Sequence, residues 1–344
     1  MADIAAITVN WNRSDHTIRC IKSLAECDNK IDLCSITIVD NASAESDYKK
    51  IKKSLRQLQY EPERMKIPIA LRDSVSEISA YKLNGTQTGP AIILIRNRSN
   101  HGFAKANNIA IILNTKLFDP SFFFFINNDA LVESGAIGAL SRKMASEPDI
   151  GICGCTILSG CSGLVQAYGG SRFSPFTGRA WALGAGGAYR EGRDDSWAER
   201  QIDFVEGAAM FICKALFERV GLFSEDYFLY NEEIDISWRA RGEFRLGVAV
   251  SAIVFHQVGA SIGTGAQDQH PSPLALFFKT RSRLKFALNH TPIWVPLVWL
   301  TLLAQFARYF LRPKTRALSF VILRVLMGRW VPKEHWFTAQ ACQV

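Results

Sequence analysis

FFFFINNDALVESGA, residues 122–136, sets an unbroken apolar run, Phe122 to Ile126, directly before Asn127-Asn128-Asp129. An apolar run of this length with a polar end suits a strand buried on both faces, as in a parallel sheet. Its polar tip then falls at the carboxyl edge of the sheet, where open α/β sheets place their ligands. Asp129 at such a tip is the hard oxygen ligand that Mg²⁺ or Mn²⁺ prefers. Asn-Asn-Asp equally suits a turn that caps the next helix, and this segment alone does not separate the two readings.

Outward from this strand the chain alternates. AAITVNW (5–11), SITIVDNAS (35–43) and AIILIRN (91–97) read as strands with polar ends. Helical patterns follow them, with Ile18, Ile21, Leu24 and Ala25 on one face, then residues 48–59 and about 103–116. Strands alternating with helices imply βαβ units and a parallel sheet. Residues 61–90 break the rhythm and read as an insertion or long loop. Residues 151–200, rich in Gly and aromatics, read as loops and short strands around a cleft. Residues 205–223 read as a strand and a helix ending at Gly221, and LGVAVSAIVFH (246–256) as a further strand.

Composition excludes several classes. At 344 residues with 48% hydrophobic and 21% charged content, the chain is globular and not disordered. Its eight cysteines form no CxxC pair, against a zinc ribbon or thioredoxin motif. Asp3, Asn10 and Arg13 interrupt any apolar leader core, so reduced thiols and an intracellular protein are expected. The net charge of +8 is concentrated: residues 278–344 hold eleven Lys/Arg against Glu334 alone, leaving 29 basic and 31 acidic groups elsewhere. Within that tail, IWVPLVWLTLLAQFARYFL (293–311) is almost free of charge. Pro296, Gln305 and Arg308 weaken a spanning helix, and interleaved Arg, Lys and Trp suit helices lying on an anionic membrane. Packing on the body or on a second subunit is the competing reading. Long aliphatic stretches between the charges argue against nucleic acid.

Polar groups at several strand ends can converge: Asn10 and Asn12, Asp40-Asn41, Asn127-Asn128-Asp129, and His256. FLYNEEIDISWRAR (228–241) adds Glu232, Glu233 and Asp235. Singly, each has a plain alternative as a turn, a cap or a satisfied strand-end histidine. Their order resembles that of inverting family-2 glycosyltransferases of the GT-A fold, especially the bacterial rhamnosyltransferase-like branch. The matching stretches are ITVNWN (7–12), IVDNAS (38–43), NRSNHGFAKANN (97–108), FINNDA (125–130), VEGAAMFI (205–212), VGLFSEDYFLYNEEIDISWRAR (220–241) and VFHQVGAS (254–261).

The resemblance implies an α/β GT-A fold: a mainly parallel, Rossmann-like sheet flanked by helices, with a basic, apolar helical tail. It implies a nucleotide-sugar half over 1–140, an acceptor and catalytic half over 141–285, and a tail over 286–344. Asp40 would accept N3–H of uracil or thymine, with Val9, Asn10, Asn12, Gly102, Asn107 and Asn128 lining the donor pocket. Gly207 with Ala208 would floor the cleft. Asp129 and His256 would hold Mn²⁺ or Mg²⁺. Glu233 would be the general base, standing where the family generally has aspartate, with Glu232 and Asp235 as alternatives. Tyr168, Phe173, Phe176, Trp181 and Tyr189 could form a sugar platform or simply pack. The expected reaction moves rhamnose from dTDP-rhamnose to a glycan or lipid-linked acceptor in cell-surface polysaccharide synthesis. The expected place is the inner face of the plasma membrane, with a homo-oligomer possible. A UDP-hexose or UDP-galactofuranose donor, or a weakly catalytic scaffold, are the alternatives. A dinucleotide oxidoreductase is disfavoured, since VNWNRSDH stands where G-x-G-x-x-G belongs.

Overall fold

The computed structural model describes residues 3–27, 33–58, 60–83, 89–257 and 270–332. Val258–Ser261 of the last matching stretch, and Lys333 and Glu334 of the basic tail, lie outside these residues. In chain order the strands are β1 (Ile4–Asn10), β2 (Leu33–Asp40), β3 (Tyr60–Arg64), β4 (Val75–Leu83), β5 (Ala91–Asn97), β6 (Phe122–Ile126) and β7 (Ala130–Val132). They continue with β8 (Ile150–Ser159), β9 (Val165–Tyr168), β10 (Gly170–Ser174), β11 (Arg179–Ala182), β12 (Phe204–Val205), β13 (Ala209–Cys213) and β14 (Arg245–His256). The helices are α1 (Ser14–Glu26), α2 (Glu45–Gln57), α3 (Gly102–Leu117), α4 (Ala136–Ser146), α5 (Asp195–Glu199), α6 (Lys214–Val220), α7 (Glu232–Ala240), α8 (Pro273–His290), α9 (Val295–Phe310) and α10 (Arg316–Leu326).

Contacts gather the chain into two compact units. The larger comprises residues 1–172, 182–225 and 232–257; the smaller comprises 173–181, 226–231 and 258–344.

The large unit is built on one sheet in the order β3-β4-β5-β2-β1-β6-β13-β8-β14-β7. The run β5-β2-β1-β6 is parallel, and β13 then pairs antiparallel with β6. The Phe-rich segment is a central strand, as expected. Phe123 and Phe125 enter one buried cluster. Phe124 and Ile126, pointing the other way, enter a second on the opposite face. Phe124 packs on Phe211, and Phe125 on Phe217 and Phe223.

Two sequence expectations change here. Residues 61–90 contain an antiparallel pair, β3–β4, which extends the sheet from β5; the open edge of β5 supplies the partner that local patterning does not reveal. Residues 150–159, in a stretch expected to hold loops and short strands, form a ten-residue strand, longer than expected and almost wholly buried. Its glycine explains the misreading: a Cβ on Gly154 would stand 2.1 Å from the Gly169 carbonyl oxygen, so only glycine permits that approach.

The small unit buries Phe277, Leu284, Val298, Leu302, Ile322 and Val325 between α8, α9 and α10. Ser272 caps α8 by accepting from the Ala275 amide at 3.2 Å. Pro292–Phe310 is long and apolar enough to cross a membrane by composition, and 11% of that window is buried within the structure. Ile293, Leu297, Trp299, Leu300 and Leu311 are all exposed.

Candidate functional site

Parallel pairing aligns the polar strand tips, because Asn10 stands in register with Asp40, and Asp40 with Arg96. Asn10 donates through Nδ2 to Asp40 Oδ1 at 2.9 Å, Ser43 Oγ at 3.0 Å and Asp47 Oδ2 at 3.0 Å. Its Oδ1 accepts from Thr17 Oγ1 at 2.7 Å, and Asn128 Nδ2 donates to the same hydroxyl at 3.0 Å. Three segments far apart in sequence are therefore joined by one buried polar network, which holds the loop after β6 to the tips of β1 and β2.

Asp40 lies inside this network. The carboxylate is 0% exposed. Its Oδ2 accepts from the Ser43 amide at 3.2 Å and lies 4.0 Å from Arg96 Nε. Burial pushes its carboxyl up, while the Ser43 and Asn10 hydrogen bonds oppose that shift. Asp40 is thus tied to the strand tips through Asn10 and Ser43. Asn10 and Asn128 are buried in the same way. Asn107 is also buried, and its amide donates to the Phe103 carbonyl one turn back at 3.0 Å. Asn12 is half-buried in left-handed backbone (φ 54), and its Oδ1 accepts from the Ala44 amide at 2.8 Å. Gly102 opens α3 at φ +79 and accepts from Asn41 Nδ2 at 3.0 Å. Val9 is half-buried beside them.

The residues expected to hold a metal are brought together. β14 runs antiparallel to β7 with His256 opposite Ala130, so the imidazole arrives beside the preceding Asp129. Asp129 Oδ1 and His256 Nε2 are 3.1 Å apart. Gln166 explains how the ring is set. Its Nε2 donates to the His256 carbonyl at 2.7 Å, so its Oε1 is the atom 3.0 Å from Nδ1. That oxygen can only accept, which places a proton on Nδ1. In the neutral ring Nε2 is then an acceptor, with Asn127 Nδ2 3.3 Å away and Asp129 Oδ1 beside it, and a cation bound by Asp129 and Nε2 would replace the Asn127 contact. Two ligands at about 2.1 Å from an octahedral ion and at right angles would lie about 3.0 Å apart. The donor pair thus fits Mn²⁺ or Mg²⁺ as a two-residue edge, Mn²⁺ accepting imidazole more readily. Among the described residues no group of three or more His, Cys, Asp or Glu is placed to hold a metal.

The same loop leads to the third element. The Asn127 amide donates to the Ala208 carbonyl at 2.9 Å, and Gly207 lies against Glu233. A Cβ on Gly207 would be 3.7 Å from Glu233 Cβ, Cγ and Cδ, so the glycine leaves room beside the carboxyl group. Glu232 precedes it on α7. It is buried, its Oε2 has no hydrogen-bond partner, and burial followed by the charge of Glu233 pushes its carboxyl well above the usual range. Asp235 is engaged elsewhere: Arg239 Nε donates to its Oδ2 at 2.8 Å, while the same guanidinium donates to the Val220 and Leu222 carbonyls. Of the three acids on α7, Asp235 is committed to holding the 220–222 turn.

Gln166 and Glu206 escaped the sequence reading. Glu206 precedes Gly207, accepts from the Ser171 hydroxyl, and is pushed up by burial against the pull of His256. A charged residue between apolar Phe204-Val205 and a glycine was a usable signal for Glu206. Gln166 sits on a short strand and carried none. The aromatic platform divides: Tyr168 packs with Tyr189 and Trp197 in the large unit, whereas Phe173 packs on Phe286 and Phe176 on Trp294 in the small one.

No family model matches the chain, and no curated protein matches it significantly. Solved structures do resemble it. GalNAc-T7 with UDP, GalNAc and Mn²⁺ aligns at TM-score 0.52 and 12% identity, covering 74% of this chain and 44% of that one. The mannosyltransferase PcManGT from Pyrobaculum calidifontis, in complex with GDP-Man and Mn²⁺, aligns at 0.51 and 13%, covering 100% and 88%. S. aureus TarS aligns at 0.51 and 13%, covering 99% and 53%. The chain therefore spans less than half of the first of these proteins and most of the second. At such identities the likeness establishes the architecture, which is the GT-A fold.

Proposed function

We propose that this protein is a metal-dependent, inverting glycosyltransferase that takes its sugar from a nucleotide-diphospho-sugar. The observation that carries the reading is the continuous constellation at the sheet edge: Asp129 Oδ1 3.1 Å from His256 Nε2, joined through Asn127 and Ala208 to Gly207 and Glu233. The structural neighbours, two of them determined with nucleotide or nucleotide-sugar and Mn²⁺, support it.

When bound, Mn²⁺ or Mg²⁺ would supply positive charge to the diphosphate of the departing nucleotide. Asp129 and His256 would hold the ion, with Gln166 fixing the ring so that Nε2 faces it. The Asn10, Asp40 and Asn128 network would hold the donor pocket walls in place, with Val9, Asn12, Gly102 and Asn107 on the surrounding backbone. In this assignment Asp40 is held by Asn10 and Ser43, one hydrogen bond to each oxygen, and a remaining lone pair would accept N3–H of the base.

Glu233 would take the proton from the acceptor hydroxyl as its oxygen attacks the anomeric carbon. Burial, and then the charge of Glu233, push the Glu232 carboxyl up, which supports Glu233 as the member of the pair that serves as base. One base and one displacement give inversion. Gly207 stands beside Glu233, which supports a place for the glutamate side chain in the cleft. The donor read from the motif order is dTDP-rhamnose, and the acceptor a glycan or lipid-linked glycan. The exposed apolar and basic small unit supports a place on the cytoplasmic face of the membrane.

The test is nucleotide release by the purified protein with Mn²⁺ across a panel of dTDP-, UDP- and GDP-sugars. A response to one donor class is expected, with Glu233→Gln abolishing turnover while donor binding persists. Absence of binding to every nucleotide would overturn the assignment.

A further inference from the structure

Glu206 takes no part in the reaction proposed above, yet it stands in the middle of its residues. It lies between β12 and Gly207, on the turn that leads into β13. β10 pairs antiparallel with β12, with Ser171 opposite Phe204, and the Ser171 hydroxyl donates to the Glu206 carboxylate. Burial raises the Glu206 carboxyl, while that hydrogen bond and then His256 draw it back, so it lies within electrostatic reach of the imidazole. The segment from β9 to β10 serves both groups, since Gln166 holds His256 and Ser171 holds Glu206. A carboxylate in a half-buried turn is costly unless it has hydrogen-bond partners, and a serine hydroxyl fills one of its about four acceptor positions.

The course of the turn defines what this carboxylate would meet. In the proposed reaction the departing diphosphate lies at Asp129 and His256, and the attacking oxygen at Glu233. The sugar ring, bonded to the first and attacked from the side of the second, lies between them. Residues 206–208 cross the same interval. The Ala208 carbonyl accepts from the amide of Asn127, two residues before Asp129, at 2.9 Å, and Gly207 lies against Glu233. Gly207 and Ala208 bring no polar side chain, so Glu206 is the polar group of this stretch.

We infer that Glu206 selects the donor sugar, accepting from the hydroxyls of a neutral sugar and excluding a sugar that carries its own carboxylate. Sugar hydroxyls donate to a carboxylate in charge-assisted hydrogen bonds, whereas a uronate ring would set two like charges together in a partly desolvated turn. Attraction of one class and rejection of the other come from a single side chain. The inference rests on the donor site proposed above, and the experiment separates the two.

Binding of UDP, dTDP and GDP to the full chain with Mn²⁺ is measured first, by calorimetry. The diphosphate that binds selects the pair to compare: UDP-glucose with UDP-glucuronate, dTDP-glucose with dTDP-glucuronate, or GDP-mannose with GDP-mannuronate. Wild type should prefer the neutral sugar. Glu206→Gln, nearly the same in shape, should reduce that preference at least about tenfold, each affinity being read against that of the same variant for the bare diphosphate. Ser171→Ala removes the supporting hydrogen bond and keeps the charge, so it should keep the preference. The uronamide of the same sugar separates charge from size and needs no variant: wild type should bind it better than the uronate. Equal binding of uronate and uronamide, a preference unchanged in Glu206→Gln, or an equal loss of preference in Glu206→Gln and Ser171→Ala would each overturn the inference and leave the donor site standing. Binding of no diphosphate would remove the donor site and the inference with it.

Discussion

Replacing Gln166 by leucine tests whether the ring of His256 is set from behind. Leucine is close in volume and removes both contacts, the 2.7 Å bond to the His256 carbonyl and the 3.0 Å bond to Nδ1. Two hydrogen bonds at about 1 kcal/mol each predict a stability loss of about 2 kcal/mol. The larger effect should fall on the metal. Without an acceptor at Nδ1 the proton can move to Nε2, which then points N–H and not a lone pair at Asp129. Loss of such an outer partner weakens metal affinity about 10- to 100-fold, or about 1.4–2.7 kcal/mol. Free Mn²⁺ measured by electron paramagnetic resonance, with and without UDP, reads this directly and does not require turnover. His256→Ala sets the scale for complete loss. An unchanged Mn²⁺ affinity in Gln166→Leu alongside a large loss in His256→Ala would refute the tautomer argument. Unchanged affinity in both would refute the metal edge.

Asp129→Ala should remove the Mn²⁺-dependent part of donor binding, visible as loss of the Mn²⁺-induced thermal shift with UDP or dTDP, while the metal-free melting curve stays close to wild type. Glu232→Gln should alter the pH dependence of stability. A carboxyl raised in the folded state contributes stability at low pH that is lost as pH climbs from the ordinary unfolded value, about 4.3, to the raised folded one. Wild type should therefore lose up to about 1.4 kcal/mol per pH unit relative to the glutamine variant across that window, measured by urea titrations at several pH values. A constant difference would mean that Glu232 is ionised when folded. Gly154→Ala should cost about 3 kcal/mol, because its Cβ would meet the Gly169 carbonyl oxygen at 2.1 Å; a chemical denaturation midpoint equal to wild type would show that this crossing is slack.

The parts of the site legible in the sequence share one property: each is announced by its immediate neighbours. Phe122–Ile126 reads as a two-faced buried strand because apolar side chains occupy both alternating faces, and Asp129 reads as its tip because it follows directly. The three acids at one helix start mark a charged cluster, and Glu233 is singled out among them as base only by the family resemblance. What each atom does was decided by partners outside those windows. Asp40 is expected to recognise a base, and its own partners, Asn10 thirty residues earlier and the Ser43 amide, are visible only in the fold. Asp235 and Glu233 looked interchangeable until Arg239 took Asp235 for the 220–222 turn.

Strand alternation and the order of polar tips were therefore determined by the sequence itself, since periodicity and chain order are local properties that folding preserves. Pairing was not. His256 meets Asp129 because β14 adds antiparallel to β7, and Gln166 reaches His256 because β9 folds back on β8, which itself pairs with β14. Such contacts depend on which sheet edges remain open once the parallel core has formed. No short window contains that information, and so the tertiary structure alone decided which carboxylates are buried and which partners each of them meets.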